Sequence, residues 1–544
     1  METSLLLFWL TANSQWPEKR NVYKGIKLKT DYLIVGSGLA ALAFGSLMAK
    51  SGKRVKVLEA HYLAGGYGHT FELDGYKFNA QLHYVWNCGE GRTVYKMLDK
   101  LGLTPQLPFV EYDPNGFDRM RMAGYALDIP YDYDELIRRL AKLFPESAEN
   151  CRRFVREVQE LSEAIDKLPN LFSGDSLTFP PPSELRHLPK IASMMRFHNA
   201  TLQEVFDYFE LPKPAQTLIA LQWPDFLLPP DQLSFFAWMM LFSGYCRGAY
   251  YPGHHFESVI DSLVNVITEN GGEVLLEHKA VEFLLEGKQV VGVRAEGVGK
   301  NQNGQTVHYA DTVVCNMDPR KSAEMIGFDK FSAKVRKQLN YDYSYSNFMA
   351  YCVVKGIDLR DYGFGKSNLF HTEQPDLNQA FNDMYVRGDY SKPSFAVTVP
   401  SLLTDDRSDC PPDHQIIEFL TVANFDRFLD LKLSSPRRYR EKKQEILNAI
   451  LDVMETHYVP DLRKHLVFKV TGSPTTNERY CWSPAGNSYG SNMTPQNMGF
   501  GRLSNHTSLD NFHFCNASSG YAGFAGTIWT GCRLYEKLSG DTVI

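Results

Sequence analysis

Residues 29–70 read KTDYLIVGSGLAALAFGSLMAKSGKRVKVLEAHYLAGGYGHT, and this stretch decides the fold. Its apolar run at 32–35 is typical of a buried parallel strand, and Gly-Ser-Gly breaks the run at once. Residues 39–50 then have the composition of a helix, and a second short strand, 54–58, ends at Glu59. The stretch therefore predicts a strand, a glycine-rich turn, a helix, a second strand and an acidic residue.

Dinucleotide binding makes a physical demand of each part of this unit. Gly36 permits a tight turn, Gly38 lets the backbone approach a pyrophosphate, and Ala41 is small enough for close helix-on-strand packing. The amino end of the helix offers N–H groups and a positive dipole end to phosphates. Glu59 stands where a carboxylate accepts hydrogen bonds from an adenosine ribose. We predict a dinucleotide-binding unit; the alternative is an ordinary βαβ crossover with a glycine turn.

The C-terminus predicts a second unit of the same kind. Residues 512–516 (FHFCN) are typical of a strand, a small-residue turn follows, and residues 528–538 are typical of a helix. Such a turn again directs N–H groups at an anionic or carbonyl-bearing partner. Nearer the first unit, residues 70–78 predict a hairpin that turns at Asp-Gly, which favours the positive φ of a type I′ turn. Residues 306–309 and 312–315 predict two short strands.

The chain has 544 residues, too many for one simple core, so we expect interleaved domains. The fold class predicted is α/β, with a Rossmann-like nucleotide-binding domain interleaved with an α+β substrate domain. An N-terminal extension is expected over 1–28, the nucleotide-binding domain over 29–110, 250–344 and 462–544, and the substrate domain over 111–249 (largely helical) and 345–461.

Composition and charge exclude some functions. Hydrophobic residues make up 44% and charged residues 22%, as in a soluble globular protein. The net charge is −6 without a broad basic domain, so nucleic acid is not an expected partner. The nine cysteines are scattered and form no Cys-x-x-Cys pair. We therefore expect a reducing compartment, no disulfide framework and no metal site.

No membrane-spanning segment or signal peptide is evident. The apolar runs at 5–10 and 235–242 are too short to span a bilayer, and the first lacks a basic flank and a cleavage pattern. The basic run 437–443 is typical of a solvated helix face, with an anionic membrane surface as the alternative. We expect a cytoplasmic protein or one peripheral on a membrane; the oligomeric state stays open.

Longer strings resemble one family. In order, they are GSGLAA (36–41), VLEA (57–60), GGYGHTF (65–71), YPGHH (251–255), ADTVVCNMDP (310–319) and the small-residue C-terminal motif. This order resembles that of FAD-dependent phytoene desaturases, carotenoid cis–trans isomerases and retinol saturases. Residues 65–84 and 472–490 most resemble the carotenoid isomerase and retinol saturase branch. The resemblance implies an architecture like that of the amine oxidases and phytoene desaturases.

The resemblance also implies FAD as the cofactor, with NAD(P)H as a candidate reductant. The residues that it assigns to FAD are Gly36, Ser37, Gly38, Leu39 and Ala40 (pyrophosphate), Glu59 with Ala60 (adenosine ribose), Gly65, Gly66 and Thr70 (diphosphate and ribityl side), Leu82 (isoalloxazine ring), Val281 (adenine edge), Asn516 (after the last strand), and Ala525, Gly526 and Thr527 (flavin, at a helix start).

The chain departs from the family pattern at three places. Asn516-Ala517 stands where the family commonly has Gly-Asp, although an amide can still hydrogen-bond a ribityl hydroxyl or a phosphate. Asn79 replaces the usual aspartate at the hairpin exit. Gly253-His254-His255 replaces paired glycines before the following helix.

In such enzymes the flavin exchanges the hydride and the protein supplies position and electrostatics. An uncharged polyene calls for an apolar tunnel, and residues 195–250 are the candidate lining; the alternative is that the aromatic residues of this stretch are only core. His83 and Tyr84 are the candidate catalytic residues, as a proton source or charge stabiliser; orienting the flavin or packing are the alternatives. His254-His255 is a further candidate on the other flavin face.

The resemblance implies an FAD-dependent oxidoreductase or isomerase acting on carbon–carbon double bonds of a lipophilic polyene. Saturation, desaturation and cis–trans isomerisation of a carotenoid or retinoid all stay open. The alternative enzymes are a polyunsaturated fatty acid double-bond isomerase and an amine-oxidase-like flavoenzyme. A prenyl-lipid escort protein of the GDP-dissociation-inhibitor type is the alternative of another class, and the intact set of Gly36, Gly38 and Glu59 argues against it.

Overall fold

The computed structural model describes residues 29–167, 188–300, 304–404 and 408–544. The predicted N-terminal extension lies outside the described residues, as do residues 168–187. No helix among the described residues is both long and apolar enough to cross a bilayer.

The strands are β1 (Lys29–Val35), β2 (Val55–Leu58), β3 (Thr70–Leu73), β4 (Tyr76–Asn79), β5 (Val85–Trp86), β6 (Phe109–Glu111), β7 (Asp118–Met122), β8 (Tyr125–Ile129), β9 (Ala249–Pro252), β10 (Glu273–Leu275), β11 (His278–Glu286), β12 (Gln289–Gly297), β13 (Gln305–Cys315), β14 (Ser346–Lys355), β15 (Asn368–Thr372), β16 (Ser394–Thr398), β17 (His414–Ala423), β18 (Leu466–Gly472) and β19 (Phe512–Phe514).

The α-helices are α1 (Leu39–Lys50), α2 (Thr93–Leu101), α3 (Tyr133–Leu143), α4 (Ala148–Lys167), α5 (Leu188–Phe197), α6 (Leu202–Tyr208), α7 (Lys213–Ala220), α8 (Phe235–Cys246), α9 (His255–Glu269), α10 (Pro319–Ile326), α11 (Ala333–Leu339), α12 (Leu377–Phe381), α13 (Phe425–Ser434), α14 (Pro436–His457), α15 (Leu462–His465), α16 (Pro474–Cys481) and α17 (Gly523–Ser539).

The first sheet is built around the N-terminal unit. Its strand order is β10-β2-β1-β13-β12-β11, and β19 also pairs with β13. The pairs β10–β2, β2–β1, β1–β13 and β13–β19 are parallel, whereas β11, β12 and β13 form an antiparallel meander. The sheet thus joins strands from three separated stretches of the chain around the predicted strand–turn–helix unit.

One prediction about this sheet is wrong. Residues 306–309 and 312–315 form a single strand, β13, rather than two. The pairing with β1 continues across the intervening step, because Ala310 pairs with Thr30 and is buried. Tyr309 pairs with Lys29 on one side and with Gly292 on the other, so neighbouring strands hold the middle of β13 extended.

The second sheet has the order β18-β14-β17-β16-β15-β7-β8. Its central strands are buried on both faces, and nearly every residue of β14 and β17 lies in the core. Separately, β3 and β4 form the predicted hairpin. Asp74 and Gly75 have φ values of 52° and 80°, as a type I′ turn requires.

Helices α1 and α17 pack against each other at a glycine. A Cβ atom added at Gly531 would overlap the carbonyl oxygen of Ala40 and lie 3.0 Å from the Cβ of Ala43. Residues 39–49 of α1 are buried, so the helix has little room to shift away. Close approach of the two helices therefore depends on the missing side chain at Gly531.

We expect Gly531→Ala to lower the free energy of unfolding by about 1–3 kcal/mol, because an overfilled contact outweighs the helix propensity of alanine. Chemical denaturation measures this change. Gly472→Ala is the control, since a Cβ there meets its neighbours only at 3.8–4.0 Å. Equal stability of the two variants would contradict the tight helix contact.

Candidate functional site

Four parallel strands end at one edge of the first sheet. Gly36 follows β1, Glu59 follows β2, Asn316 follows β13 and Asn516 lies two residues after β19. Because α1 and α17 follow β1 and β19, both helices begin at this edge. The crevice outside the carboxyl ends of parallel strands is where nucleotides bind in open α/β sheets.

The turn after β1 is held by two side chains. Ser37 donates hydrogen bonds from its backbone N–H (2.7 Å) and its hydroxyl (2.6 Å) to Glu59 Oε2. His61 N–H donates to the other carboxylate oxygen at 2.8 Å. Gly38 N–H donates to Asn316 Oδ1 at 2.8 Å, and a Cβ at Gly38 would come within 2.6 Å of that oxygen. The turn thus leaves no room for a side chain at Gly38.

The starts of α1 and α17 have no side-chain cap. In α1 the first turn is buried, including Leu39 and Ala40, and contains no acidic residue. First-turn N–H groups have no partner within their own helix, so a buried, uncapped start calls for an external acceptor. Two such starts at one edge fit the phosphates of a dinucleotide.

Further residues that the resemblance assigns to FAD pack against this turn or lie on other elements. Gly65 N–H donates to the carbonyl of Ser37 at 3.0 Å, and a Cβ at Gly66 would lie 3.3 Å from the Cα of Gly38. Of the others, Ala60 follows Glu59, Val281 lies on β11, and Ala525, Gly526 and Thr527 lie in the first turn of α17.

Asn516 uses its amide in both directions. Its Oδ1 accepts from the N–H groups of Ser518 and Ser519 at 3.0 Å, and its Nδ2 donates to the carbonyl of Met317 at 3.1 Å. An aspartate could make the first two bonds but not the third. Asn516 therefore ties the turn after β19 to the residues after β13, and its side chain is engaged with backbone.

Arg502 is a buried residue that the sequence analysis missed. It donates hydrogen bonds to the carbonyls of Ala517 and Gly520, and burial lowers its pKa to about 10. The guanidinium therefore fixes the same turn from its other side. A single arginine between Gly501 and Leu503 carries no pattern that would reveal this role.

A polar row crosses one face of the second sheet. Asp118 pairs with Asn368, and Glu418 pairs with both Thr398 and Tyr351. The β15–β16 register, with Leu369 opposite Val397, places Asn368 beside Thr398. Residues opposite each other on neighbouring strands share a face. We call Asp118, Asn368, Thr398, Glu418 and Tyr351 the polar row.

The segment 80–84 lies across the polar row. The Tyr351 hydroxyl donates to the carbonyl of Ala80 at 2.5 Å, and His83 Nδ1 lies 3.3 Å from Glu418 Oε2. At the far end, the Tyr84 hydroxyl lies 3.0 Å from Asp118 Oδ2. The two predicted catalytic residues therefore lie above the row.

His69 joins this segment to the sheet edge. Its Nδ1 lies 2.6 Å from the carbonyl oxygen of Gly66, and its own carbonyl accepts from Ala80 N–H at 3.0 Å. The glycine turn and the segment 80–84 are thus connected by one buried residue. Leu82, which the resemblance places by the isoalloxazine ring, lies within this connected segment.

Buried acids dominate the electrostatics. Burial raises the pKa of Asp118 to about 6, although hydrogen bonds from Asn368 and Gln222 oppose the rise. Burial, and then the neighbouring Asp118 charge, raises the pKa of Asp225 well above its usual value. Burial also raises the pKa of Glu418, with His83 opposing it. Burial thus raises the pKa of each of these three carboxyl groups above its ordinary value.

A small cavity opens between the segment and the sheet. Its lining includes His83, Tyr84 and Asp225, together with Phe370, Glu418 and Leu420. Three side chains that line it bury oxygen atoms without a hydrogen-bond partner: Asn368 Oδ1, Thr398 Oγ1 and Glu418 Oε1. His83 Nε2 is buried and unpartnered as well. These atoms call for a ligand or water that supplies hydrogen bonds.

The predicted lining at 195–250 is largely wrong. Trp238 of α8 is fully buried and packs on Phe242 and on the rings of Phe154 and Phe206, so these aromatics are core. Asp225, in a short turn before α8, is the residue of this stretch that lines the cavity described above. An apolar run cannot by itself distinguish core from ligand lining.

His255 lies in a second cavity, with Thr70 and Asn79. Its Nδ1 is 3.2 Å from the Tyr251 hydroxyl, which accepts a hydrogen bond from Asn79 Nδ2 at 2.7 Å. The Thr70 hydroxyl donates to Asn79 Oδ1 at 3.3 Å. Asn79 thus donates and accepts at once, which an aspartate carboxylate could not do.

No member of the polar row was among the site residues predicted from the sequence. Its members come from five different strands, and their proximity follows only from the pairing register. One signal was available: Glu418 interrupts the apolar run IIEFL, and an acid inside a buried strand needs a partner. Asp118 and Asp225 carry no comparable local pattern.

The crevice and the paired sheets define a Rossmann-like fold with a second, interleaved sheet. Residues 34–101 match the family described as NAD(P)-binding Rossmann-like domain. Cyclohexylamine oxidase from Brevibacterium oxydans IH-35A has a similar fold, with a TM-score of 0.60 and 15% identity, covering 94% of this chain and 100% of that one. The predicted fold class is confirmed.

The chain is similar along most of its length to enzymes of the predicted branch. All-trans-retinol 13,14-reductase of Danio rerio is 24% identical over 486 residues, covering 85% of this chain and 77% of the relative. Prolycopene isomerase 2 of an Oncidium hybrid cultivar is 22% identical over 514 residues, covering 91% and 80%. These similarities confirm the resemblance and place the protein among enzymes of the oxidoreductase and isomerase type.

The raised pKa of Asp118 predicts a pH dependence of stability. The pKa of this carboxyl is about 6 in the folded protein and 3.8 ordinarily. Because the folded protein binds the proton more tightly, folding stability is lost as the pH rises from about 3.8 to about 6. The free energy of unfolding of the wild type should fall between about pH 4 and about pH 7. In Asp118→Asn we expect this fall to be smaller by up to roughly 3 kcal/mol. Urea unfolding at both pH values measures it.

The exposed Asp361→Asn variant is the control and should keep the wild-type pH dependence. An Asp118→Asn protein whose stability changes with pH as much as the wild type does would show that this carboxyl is ionised throughout.

Proposed function

We propose that the protein is an FAD-dependent oxidoreductase or isomerase that acts on carbon–carbon double bonds of a lipophilic polyene, a carotenoid or retinoid. One observation carries the proposal: His69 connects the uncapped, glycine-lined crevice to the segment 80–84, which lies above a cavity with protic groups. The names of the relatives, a retinol reductase and a prolycopene isomerase, support the substrate class.

The residues of the crevice fit FAD. Backbone N–H groups at the starts of α1 and α17 would bind the phosphates, and Glu59 would accept hydrogen bonds from the adenosine ribose. When bound, the flavin supplies hydride exchange at N5. The chain would contribute the backbone of Leu82 beside the flavin ring. The hydroxyl of Tyr84 and the carboxyl of Asp225 would hold protons at the cavity.

An amine-oxidase-like activity is the second candidate. Asp225 and Glu418 line the cavity, and acidic side chains would attract a cationic amine. The neutral forms that burial favours weaken this attraction. Release of hydrogen peroxide from amines in air would identify this activity, whereas the primary proposal predicts none.

NAD(P)H as the reductant and peripheral contact with a membrane are further proposals. Within the basic run, Lys442 Nζ donates to the carbonyl of Gly388 and Lys443 Nζ to that of Thr471. These two ammonium groups are thus hydrogen-bonded to the protein's own backbone. This argues against the membrane-surface interpretation of the run.

Purified protein, loaded with FAD and reduced by dithionite without oxygen, provides the main test. Mixing with all-trans-retinol or a poly-cis carotenoid should reoxidise the flavin and yield a saturated product, or leave it reduced and yield an isomer. Chromatography of the extracted polyene distinguishes the two. A colourless protein that cannot take up FAD would contradict the enzyme and favour the lipid-escort alternative.

We expect Gly38→Trp and Glu59→Arg each to abolish flavin retention. The first fills the space at Asn316 Oδ1, and the second puts a cation where the turn needs an acceptor. The ratio of flavin absorbance to protein absorbance after gel filtration measures retention. Glu72→Arg, on the exposed hairpin, is the control and should retain flavin. Full occupancy in either crevice variant would show that FAD binds elsewhere.

A further inference from the structure

We propose that Asp225, Tyr84 and Asp118 form a proton relay, in which the Asp225 carboxyl gives its proton to a carbon of the substrate double bond. This inference rests on the proposed function. Asp225 and Tyr84 line the cavity beside the segment 80–84, whereas Asp118 lies behind them in the polar row.

The hydrogen-bond geometry requires a proton on one of the two carboxyls. The Tyr84 oxygen lies 3.0 Å from Asp118 Oδ2 and 3.1 Å from Asp225 Oδ2. A phenol has one proton to donate, so it satisfies one of these contacts. The other contact is a hydrogen bond only if that carboxyl is protonated and donates to the Tyr84 oxygen.

The proton belongs on Asp225. Asp118 accepts hydrogen bonds from the amides of Asn368 (3.0 Å) and Gln222, which stabilise its negative charge. Asp225 has no such amide donors among the bonds of the described residues, and burial beside Asp118 holds its pKa well above the usual range. The order is therefore Asp225 O–H to Tyr84, and Tyr84 O–H to the Asp118 carboxylate.

The surroundings keep this order near neutral pH. The titratable groups that face the relay are the phenols of Tyr112, Tyr131, Tyr245 and Tyr489, the thiol of Cys246, and, across the cavity, His83 with Glu418. Tyr245 stacks on the Tyr84 ring with centroids 4.0 Å apart, which fixes the phenol between the two carboxyls. No lysine or arginine is among these groups, so none offsets ionisation of Asp225.

An independent feature indicates that a ligand enters here. Asn368 Oδ1 and Glu418 Oε1 are buried, line the same cavity and have no hydrogen-bond partner. Native proteins seldom leave such atoms unsatisfied without a bound molecule. The relay thus ends at a cavity that is built to receive one.

The step balances as the reduction of one double bond. A hydride from reduced flavin forms one C–H bond, the Asp225 proton forms the second, and the π bond is lost. The substrate gains two electrons, which the flavin gives up and a reductant of the nicotinamide or dithionite class restores. Asp225 is left as a carboxylate. A proton taken up from water by Asp118 passes to Tyr84 as Tyr84 gives its own proton to Asp225, which restores the starting order.

Infrared spectroscopy of the full-length, FAD-loaded protein tests the proton on Asp225. We expect the carbonyl-stretch band of a protonated carboxylic acid at about pH 7, shifted in D2O and lost in Asp225→Asn. Asp231→Asn, an exposed carboxyl of the same stretch, is the control and should leave the band unchanged. A carboxylic-acid band that keeps its full wild-type intensity in Asp225→Asn would overturn the assignment.

Single-turnover reduction of the polyene tests proton transfer. We expect Asp225→Asn to slow product formation by about 100-fold or more with flavin content unchanged, and Asp225→Glu to restore part of the rate. The wild-type product formed in D2O should carry two deuterium atoms, because the N5–H of reduced flavin and the Asp225 carboxyl both exchange with solvent. A rate for Asp225→Asn within threefold of the wild type, or a product with fewer than two deuterium atoms, would overturn the relay.

The two failures are distinguishable. If the flavin-loaded wild type converts no polyene, the proposed function fails and the carbon-protonation step fails with it, while the infrared band alone still decides whether Asp225 is protonated. If polyenes are reduced and the band is independent of Asp225, the relay fails and the proposed function stands.

Discussion

Cross-strand pairing on the second sheet brings five polar side chains into one buried row, and the site depends on this row. Burying an acid is costly unless it is hydrogen-bonded or protonated. The row meets that demand by binding the segment 80–84 through Ala80, His83 and Tyr84. The segment has little regular secondary structure of its own, so these contacts hold it in position.

The two sheets are coupled through this segment. His69 bonds to Gly66 at the crevice and to Ala80 at the start of the segment, so the nucleotide edge and the polar row share one short connection. A cofactor bound at the first sheet would therefore meet groups oriented by the second. Under the proposed function, the first sheet binds the cofactor and the second supplies the protic groups, which agrees with a cofactor that carries the redox step.

The local parts of this structure could be predicted from the sequence. The unit β1–α1–β2 and the Asp-Gly hairpin depend on neighbouring residues whose patterns are strong. The polar row could not be predicted, because it depends on the register of strands that are distant in the chain. For the apolar stretch around Trp238, the sequence left substrate lining and core packing both open, because hydrophobicity alone does not say which neighbour a side chain packs against.

Two of the predicted departures from the family pattern have a physical role in this chain. Asn79 and Asn516 each donate one hydrogen bond from the side-chain amide that a carboxylate could not. Asn79 donates to the Tyr251 hydroxyl and Asn516 to a backbone carbonyl. Each substitution thus fits its neighbours in this chain.

An experimental structure of the protein loaded with FAD would test the central claim, that the segment held by the polar row is presented to the cofactor. The decisive quantity is the distance between the isoalloxazine ring and the backbone of Leu82 to Tyr84. We expect van der Waals contact, at about 4 Å. An isoalloxazine ring separated from this segment by another layer of side chains would contradict the account.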